Sequence, residues 1–234
     1  RMLCASPRVM RPTSQPTLSF DPSAKTAMDK QEPPAPGADF RVVIVGAGNI
    51  NFGSDEGPWN HSFRLEHKLG PRLKVVALID PDAERARRVL KTKCQSFVLS
   101  AYKDTVVYPT FKDYMESVRA ETYPHAVWVG SPPAFRGGTE PGRNLEQLLT
   151  AGLPNVPLFI EKPVSTGAVD QTFEVAKMLE RNGSLVSVGY MLRYLKVVQK
   201  MKQIIAENDL HVMAVNARYI MAVSYTHLTL PTKA

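Results

Sequence analysis

Short runs of branched apolar residues alternate along the chain with longer stretches in which apolar positions recur at roughly helical spacing. In the clearest run, residues 42–45 read Val-Val-Ile-Val without a polar residue among them. Continuous runs of this kind are typical of strands buried on both faces of a parallel sheet, whereas the longer periodic stretches indicate amphipathic helices.

The pattern predicts a strict alternation of strands and helices. We predict strands at 42–45, 73–79, 105–107, 126–130, 158–160, 185–188 and 212–220, and helices at 58–69, 82–93, 111–119, 143–151, 170–181 and 192–208. Strands that alternate with helices imply right-handed crossovers. The fold class is therefore predicted to be α/β, a Rossmann-like doubly wound parallel sheet.

The two ends of the chain differ from the rest. Residues 1–38 are rich in Pro, Ser and Thr without an apolar period, and we expect them to be disordered. A mitochondrial transit peptide is one interpretation of this stretch, but its prolines would break the necessary helix, and we favour translated upstream sequence with Met28 as the natural start. Residues 223–234 resemble an adapter-derived peptide more than a short native strand, so we expect the natural protein to continue beyond about residue 222.

Composition and charge narrow the classes of function. No apolar run reaches the ~18 residues that a membrane-spanning helix needs. The formal net charge is +7, but the basic residues do not cluster or interleave with aromatic ones, so we predict no nucleic-acid interface. The mild positive excess suits an anionic cofactor or simply a solvated surface. Cys4 and Cys94 form no disulfide or metal-binding pattern, which favours a reduced, cytoplasmic compartment.

The first predicted strand runs into Gly46-Ala47-Gly48. In nucleotide-binding folds such a turn brings a pyrophosphate against backbone N–H groups, because the first glycine takes the tight turn and the second has no Cβ to keep the phosphates away. Asn51 stands where the third glycine of that fingerprint would be, so we expect a wider approach of helix and strand. By itself this partial motif also fits an ordinary turn.

Asp80 ends the second predicted strand. An acidic residue there can accept the ribose hydroxyls of NAD, although Asp80 lies 32 residues after Gly48 and can equally be the N-cap of the next helix. Three nearby arginines would suit a 2′-phosphate and leave NADP open; they are Arg85, Arg87 and Arg88.

The order of five motifs resembles the glucose–fructose oxidoreductase/inositol dehydrogenase (Gfo/Idh/MocA) family from about residue 40 to residue 221. The motifs are Gly-Ala-Gly at 46–48, Asp-Pro-Asp at 80–82, Val-Gly-Ser-Pro at 129–132, Phe-Ile-Glu-Lys-Pro-Val at 159–164 and Val-Gly-Tyr-Met-Leu-Arg-Tyr at 188–194. Glu-Lys-Pro is the most specific of them and the glycine turn the least. The loop at 130–138 is similar to that of fungal members, among which sugar-acid reductases occur.

The resemblance implies an NAD- or NADP-dependent oxidoreductase that moves a hydride between nicotinamide and a sugar, polyol or sugar acid. It implies that Lys162 is the catalytic residue, which binds the reacting oxygen, and that Arg193 points into the substrate cleft. The implied cofactor-binding residues are Gly46, Gly48, Asn49, Ile50, Asp80, Ser131, Pro132, Glu161 and Lys162.

The resemblance also implies a domain organisation. Residues 39–190 would form the dinucleotide-binding domain, and residues 191–222 would contribute a linking helix and the first strand of an α+β domain. The remainder of that domain, with a catalytic Asp and His, is expected beyond this sequence, and the full-length protein is expected to be a homo-oligomer.

Lys162 follows an apolar strand at the end where open α/β sheets bind ligands. In a partly dry cleft, an ammonium group stabilises the negative charge that develops on the reacting oxygen and can shuttle its proton. The alternative for Lys162 is a solvated lysine without a function. The alternatives for the protein are a regulator of the same fold that holds NAD(P) without turnover and an inactive fragment. The presence of Lys162 favours the enzyme.

Other polar residues carry weaker indications. The spacing of His61 and His67 does not suit a metal site on one helix face, and no third ligand is evident, so no metal is predicted. Arg136 would bind a sugar carboxylate or lie solvated in its loop, and Tyr190 and Tyr194 are expected to pack in a core.

Overall fold

The computed structural model describes residues 34–54, 60–216 and 218. Six parallel strands form one sheet in the order β3-β2-β1-β4-β5-β6, which is the strand order of the Rossmann fold. The strands are β1 (Phe40–Val45), β2 (Leu73–Ile79), β3 (Val106–Tyr108), β4 (Ala126–Val129), β5 (Leu158–Ile160) and β6 (Val186–Val188). The predicted α/β fold class is confirmed.

The α-helices of the described residues lie between and after these strands. They are α1 (Asn49–Phe52), α2 (His61–Leu69), α3 (Ala83–Cys94), α4 (Leu99–Tyr102), α5 (Phe111–Met115), α6 (Leu145–Gly152), α7 (Val169–Arg181) and α8 (Lys196–Glu207). Short 3₁₀ turns occupy Gly70–Arg72, Ala120–Thr122, Pro133–Phe135 and Met191–Tyr194. In the described ranges, no helix is both long enough and apolar enough to cross a membrane.

Alternate residues of β1 pack into two separate hydrophobic cores. Val43 and Val45 face the core built with helices α5 and α6, whereas Val42 and Ile44 face the core built with α2, α3 and α4. All four side chains are at most 6% exposed, because the central strand is covered on both faces. This burial fixes the carboxyl ends of the central strands relative to the helices.

Local capping explains where several helices begin. The Asn60 side chain accepts a hydrogen bond from the Phe63 N–H and starts α2, and the Asp82 side chain accepts one from the Arg85 N–H and starts α3. Helix α5 begins with a capping box between Thr110 and Asp113. These contacts satisfy backbone donors that the first turn of a helix leaves without intrahelical partners.

Several elements differ in detail from the prediction. The short helices α1 and α4 are not foreseen, and α5 ends at Met115 rather than at residue 119. The helix predicted at 192–208 is divided into the 3₁₀ turn Met191–Tyr194 and α8, with an extended Leu195 between them. The strand predicted at 212–220 is wrong for residues 212–216, which have no regular secondary structure and pair with no strand of the described chain; residues 217, 219 and 220 lie outside it.

The chain divides into two compact units between Tyr190 and Met191. The first contains the sheet, and the second contains α8, which has no buried residue. The expected core positions of Tyr190 and Tyr194 are wrong, since these side chains are 45% and 61% exposed. The predictions for residues 1–33 and 219–234 lie outside the described residues.

Candidate functional site

The carboxyl ends of β1, β4 and β5 lie side by side. Val45 pairs with Val129, and Val129 pairs with Ile160. The segments that leave these strands, Gly46 to Gly48, Ser131 to Pro132 and Glu161 to Lys162, therefore begin at one edge of the sheet. This is the edge at which open α/β sheets bind their ligands.

The two glycines of the first turn have different structural roles. Gly46 has φ +97°, its N–H donates to the carbonyl of Ile79 at 2.8 Å, and a Cβ placed on it would lie 3.0 Å from the Ser131 nitrogen. Gly48 precedes α1 with φ −78°, and a Cβ on it would meet no atom of the described residues within 4 Å. Gly46 is thus required by the fold, whereas Gly48 borders open space that a ligand can occupy.

Asn51, at the place of the third glycine, is fully buried. Its amide donates to the carbonyls of Val45 at 3.1 Å and Gly46 at 2.7 Å. A Cβ on Gly130 would come within 2.4 Å of the Asn51 side chain, so the room for this side chain is made by a glycine after β4. Asn51 braces the turn, while Asn49 and Ile50 form the first residues of α1.

Asp80 is 3% exposed, and its carboxylate is hydrogen-bonded on both oxygens. One oxygen accepts from the Ala47 N–H at 2.6 Å, and the other accepts from the Asp82 N–H and the Arg85 guanidinium, both at 2.8 Å. The N-cap of α3 is Asp82, so the alternative in which Asp80 caps that helix is wrong. Asp80 instead ties the end of β2 to the glycine turn.

Ser131 and Pro132 lie in the loop after β4. The Ser131 hydroxyl is buried and has no hydrogen-bond partner among the described residues, while Pro132 is exposed. The loop is held by Arg136, which donates to the carbonyls of Ser131 at 3.0 Å, Pro163 at 2.6 Å and Val164 at 3.0 Å. Arg136 is 1% exposed, so both the solvated and the substrate-binding interpretations of it are wrong.

Glu161 forms a buried pair that the sequence did not reveal. Its Oε1 lies 2.7 Å from Nε2 of His61, which stands 100 residues earlier in the chain, and its Oε2 accepts from the Lys162 N–H at 2.7 Å. Burial acts to raise the pKa of Glu161, but His61 and Lys162 together outweigh it and hold this pKa below its ordinary value. The sequence shows only a histidine within the helix predicted at 58–69, which does not reveal its partner.

Lys162 itself is exposed and precedes a cis peptide bond to Pro163. Arg193 lies in the second unit, in the 3₁₀ turn, where its carbonyl accepts from the Gln199 amide. No group of three or more potential metal ligands occurs among residues 34–54, 60–216 and 218.

The residues of this edge fit a dinucleotide. The turn that Gly46 makes possible and the open space at Gly48 allow a ligand to approach the backbone closely. The Ser131 hydroxyl adds a buried polar group without a partner among the described residues. In open α/β sheets, turns of this kind bind phosphates through backbone N–H groups. Lys162 is exposed at the same edge of the sheet. The fold and this edge together define a dinucleotide-binding Rossmann protein.

Comparison with known proteins defines the family. Residues 40–190 match the model of the oxidoreductase family with an NAD-binding Rossmann fold (Gfo/Idh/MocA), and residues 193–230 match a model described as "Putative oxidoreductase C terminal domain". The chain belongs to the Gfo/Idh/MocA oxidoreductase family, which confirms the resemblance.

The chain is also similar to individual curated proteins. The chain is 44% identical over 193 residues to the uncharacterized protein C12C2.04 of Schizosaccharomyces pombe, covering 82% of this chain and 50% of that protein. It spans about half the length of that protein and of a second similar Schizosaccharomyces pombe protein.

Two solved structures share the fold. One is myo-inositol 2-dehydrogenase from Lactobacillus plantarum, with TM-score 0.51, 19% identity and coverage of 73% of this chain and 42% of that one. The other is scyllo-inositol dehydrogenase from Lactobacillus casei with bound NAD(H) and scyllo-inositol, with TM-score 0.50, 18% identity and the same coverage. At these identities the likeness extends to the fold alone.

Proposed function

We propose that the protein is an NAD(P)-dependent oxidoreductase that transfers a hydride between nicotinamide and a sugar, polyol or sugar acid. The observation that carries the proposal is the placement of Lys162, an exposed ammonium directly after Glu161 at the carboxyl end of β5. The open glycine turn lies at the same edge of the sheet. Membership of the oxidoreductase family and the bound ligands of the Lactobacillus casei enzyme support the reaction class.

Each residue of the edge has a role in this proposal. The backbone of the Gly46–Gly48 turn, with Asn49 and Ile50, would hold the pyrophosphate, and Asp80 would lie beside the adenosine ribose. Ser131, Pro132 and Glu161 would border the nicotinamide half. The cofactor supplies the hydride or accepts it, and the protein supplies position and charge.

Lys162 would act on the substrate oxygen. As hydride moves to or from the neighbouring carbon, negative charge develops on that oxygen, and the ammonium group stabilises it by a charge-assisted hydrogen bond. The same group can pass a proton to the oxygen or take one from it. Arg193 would contact the substrate, and the full-length protein would be a cytoplasmic homo-oligomer that acts on a small sugar-like molecule.

Titration of the purified chain with NADH and NADPH, followed by nicotinamide fluorescence, tests cofactor binding. The informative variant is Gly48→Val, because Gly48 has an ordinary φ and empty space around its missing Cβ, so the variant is expected to fold as the wild type does. Binding that the wild type shows and Gly48→Val loses supports the proposal. Failure of the folded wild type to bind either nucleotide contradicts it.

Activity on a panel of polyols, sugars and sugar acids tests the role of Lys162. Lys162→Met is expected to lower kcat by about 10²-fold or more, since it removes a group that stabilises charge in the transition state. Lys177→Met, which changes an exposed lysine on α7, is the matched control and is expected to leave kcat unchanged. Equal kcat for Lys162→Met and the wild type on an accepted substrate would exclude Lys162 as the catalytic residue.

A further inference from the structure

We propose that His61 is a positioning residue for Lys162 and acts on it through the carboxylate of Glu161. This inference rests on the proposed function for its catalytic meaning, because it assumes that Lys162 faces the nicotinamide and the substrate. Its structural part, a hydrogen-bonded path from α2 to the Lys162 backbone, is independent of that assumption.

The first step of the path joins His61 to Glu161. His61 is the first residue of α2 and is 4% exposed, and Glu161 is 7% exposed. A carboxylate oxygen can only accept, so the Nε2 atom at 2.7 Å carries the proton of this hydrogen bond whether the ring is neutral or charged. The other ring nitrogen lies 3.5 Å from the Arg64 guanidinium.

The imidazole is held in one orientation by its neighbours. The centroid of its ring lies 5.0 Å from the ring centroid of Phe159, in an edge-on arrangement, and 5.4 Å from that of Trp128. The Asn60 cap fixes the start of α2, and with it the backbone of His61. A rigid donor on a rigid helix start can restrain its acceptor, which a solvated donor would not do.

The second step joins Glu161 to Lys162. The Oε2 atom of Glu161 accepts the Lys162 N–H at 2.7 Å, so the rotamer of the carboxylate and the direction of the next peptide are linked. Gly189 provides the space for this rotamer, because a Cβ there would lie 3.0 Å from Oε1 of Glu161. Without the His61 donor, a buried carboxylate would have to turn towards water or another donor, and the Lys162 N–H would lose its acceptor.

The peptide beyond Lys162 is held separately. Arg136 donates to the carbonyls of Pro163 and Val164, so the backbone on the carboxyl side of Lys162 is fixed from the loop after β4. His61 and Arg136 thereby restrain the Lys162 backbone from two sides while its side chain stays exposed. A catalytic ammonium on a flexible stem benefits from a fixed Cα, because small displacements of a reacting group are costly in rate.

Amide hydrogen exchange of Lys162, measured by NMR on the labelled chain, tests the path directly. His61→Leu removes the hydrogen-bond donor and keeps an apolar side chain that can pack in the same space. His61→Gln keeps an amide N–H donor near the position of Nε2. His67→Leu changes the exposed histidine of the same helix and is the matched control. The Val43 amide in β1 serves as an internal reference for global opening, and His61→Asn, with its shorter amide, replaces His61→Leu if that variant does not fold.

The expected result is that exchange of the Lys162 amide accelerates about tenfold or more in His61→Leu, relative to Val43, and that His61→Gln restores most of the protection. Unchanged relative exchange in His61→Leu, or equal acceleration at Lys162 and Val43, would overturn the proposal, because His61 would then be a packing residue only.

Two further measurements separate this inference from the proposed function. NADH titration of the wild type addresses cofactor binding alone, and its failure leaves the exchange result interpretable. On an accepted substrate, His61→Leu is expected to lower kcat about tenfold while KM for the nicotinamide nucleotide stays within about twofold. An unchanged kcat together with accelerated exchange would show that the Lys162 backbone position does not limit the reaction, and would overturn the catalytic part of the inference.

Discussion

The carboxyl ends of β1 and β2 and those of β4 and β5 are built in different ways. At β1 and β2, the backbone conformation of Gly46 and the Asp80 carboxylate set the geometry, and much of it follows from residues that adjoin the strand ends. At β4 and β5, buried side chains that lie away from the strand ends do so: His61, 100 residues from Glu161, pairs with its carboxylate, and Arg136, in the loop after β4, donates to the carbonyl of Pro163.

The difference has an energetic consequence. A left-handed glycine is replaceable only at the cost of backbone strain, which is confined to one turn. A buried guanidinium or imidazole that holds several acceptors leaves all of them without a donor when it is removed. We therefore expect the β4–β5 half to be the more sensitive to single substitutions.

The largest expected effect is that of Arg136→Met. The substitution leaves three carbonyl oxygens without their buried donor, and we expect it to lower the free energy of unfolding by about 3 kcal/mol. Urea unfolding followed by far-UV circular dichroism measures this. Arg87→Met on the exposed face of α3 is the control and is expected to change it by no more than about 0.5 kcal/mol. Equal midpoints for the two variants would contradict the comparison between the two halves.

A smaller effect is expected at the glycine turn. Gly46→Ala places a side chain at φ +97°, with its Cβ 3.0 Å from the Ser131 nitrogen, and we expect a loss of about 2 kcal/mol. Gly48→Ala, at φ −78° in open space, is expected to be close to the wild type in the same unfolding measurement. If Gly48→Ala is more destabilised than Gly46→Ala, the assignment of the strained backbone position to Gly46 is wrong.

The sequence predicted the fold well because the information lies in local patterns. Uninterrupted apolar runs located the strands; β2 (Leu73–Ile79) and β5 (Leu158–Ile160) match their predicted bounds, and the alternation with helices predicted the parallel sheet. The strand predicted at 212–220 is wrong for its described residues 212–216, because an apolar run becomes a strand only beside a partner, and the described residues provide none.

Of the site, only the residues at the strand ends were predictable from the sequence. The hydrophobic pattern can locate the ends of strands, and the residues at or next to these ends include Gly46, Gly48, Asp80 and Lys162. The pairing of His61 with Glu161, and that of Arg136 with carbonyls beyond Lys162, join segments whose proximity depends on the packed sheet. Spacing along the chain carries no trace of such contacts, so His61 was considered only as a metal ligand. Arg136 was considered only as a ligand of a sugar carboxylate or as a solvated loop residue.

The smallest expected effect is the pH dependence of two buried carboxyl groups in the β4–β5 half. The pKa of Glu161 is lowered overall: burial acts to raise it, but the hydrogen bond from His61, the His61 ring and Lys162 outweigh that effect. The pKa of Glu146 is raised, chiefly by burial, against the hydrogen bond from Gly137 and the charge of Arg136. Each difference changes the free energy of unfolding by about 1.4 kcal/mol per unit of pKa at most.

The signs of the two contributions are opposite. Glu161 contributes stability above its unfolded pKa of about 4.3 and loses it as the pH falls through the lower folded pKa. Glu146 contributes stability below the same unfolded value and loses it as the pH rises through its higher folded pKa. Urea midpoints measured from about pH 3 to pH 7 are expected to rise less steeply with pH in Glu161→Gln than in the wild type, and more steeply in Glu146→Gln. Parallel pH profiles for the two variants would show that these carboxyl groups titrate alike in the folded protein, and that His61 does not favour the charged form of Glu161.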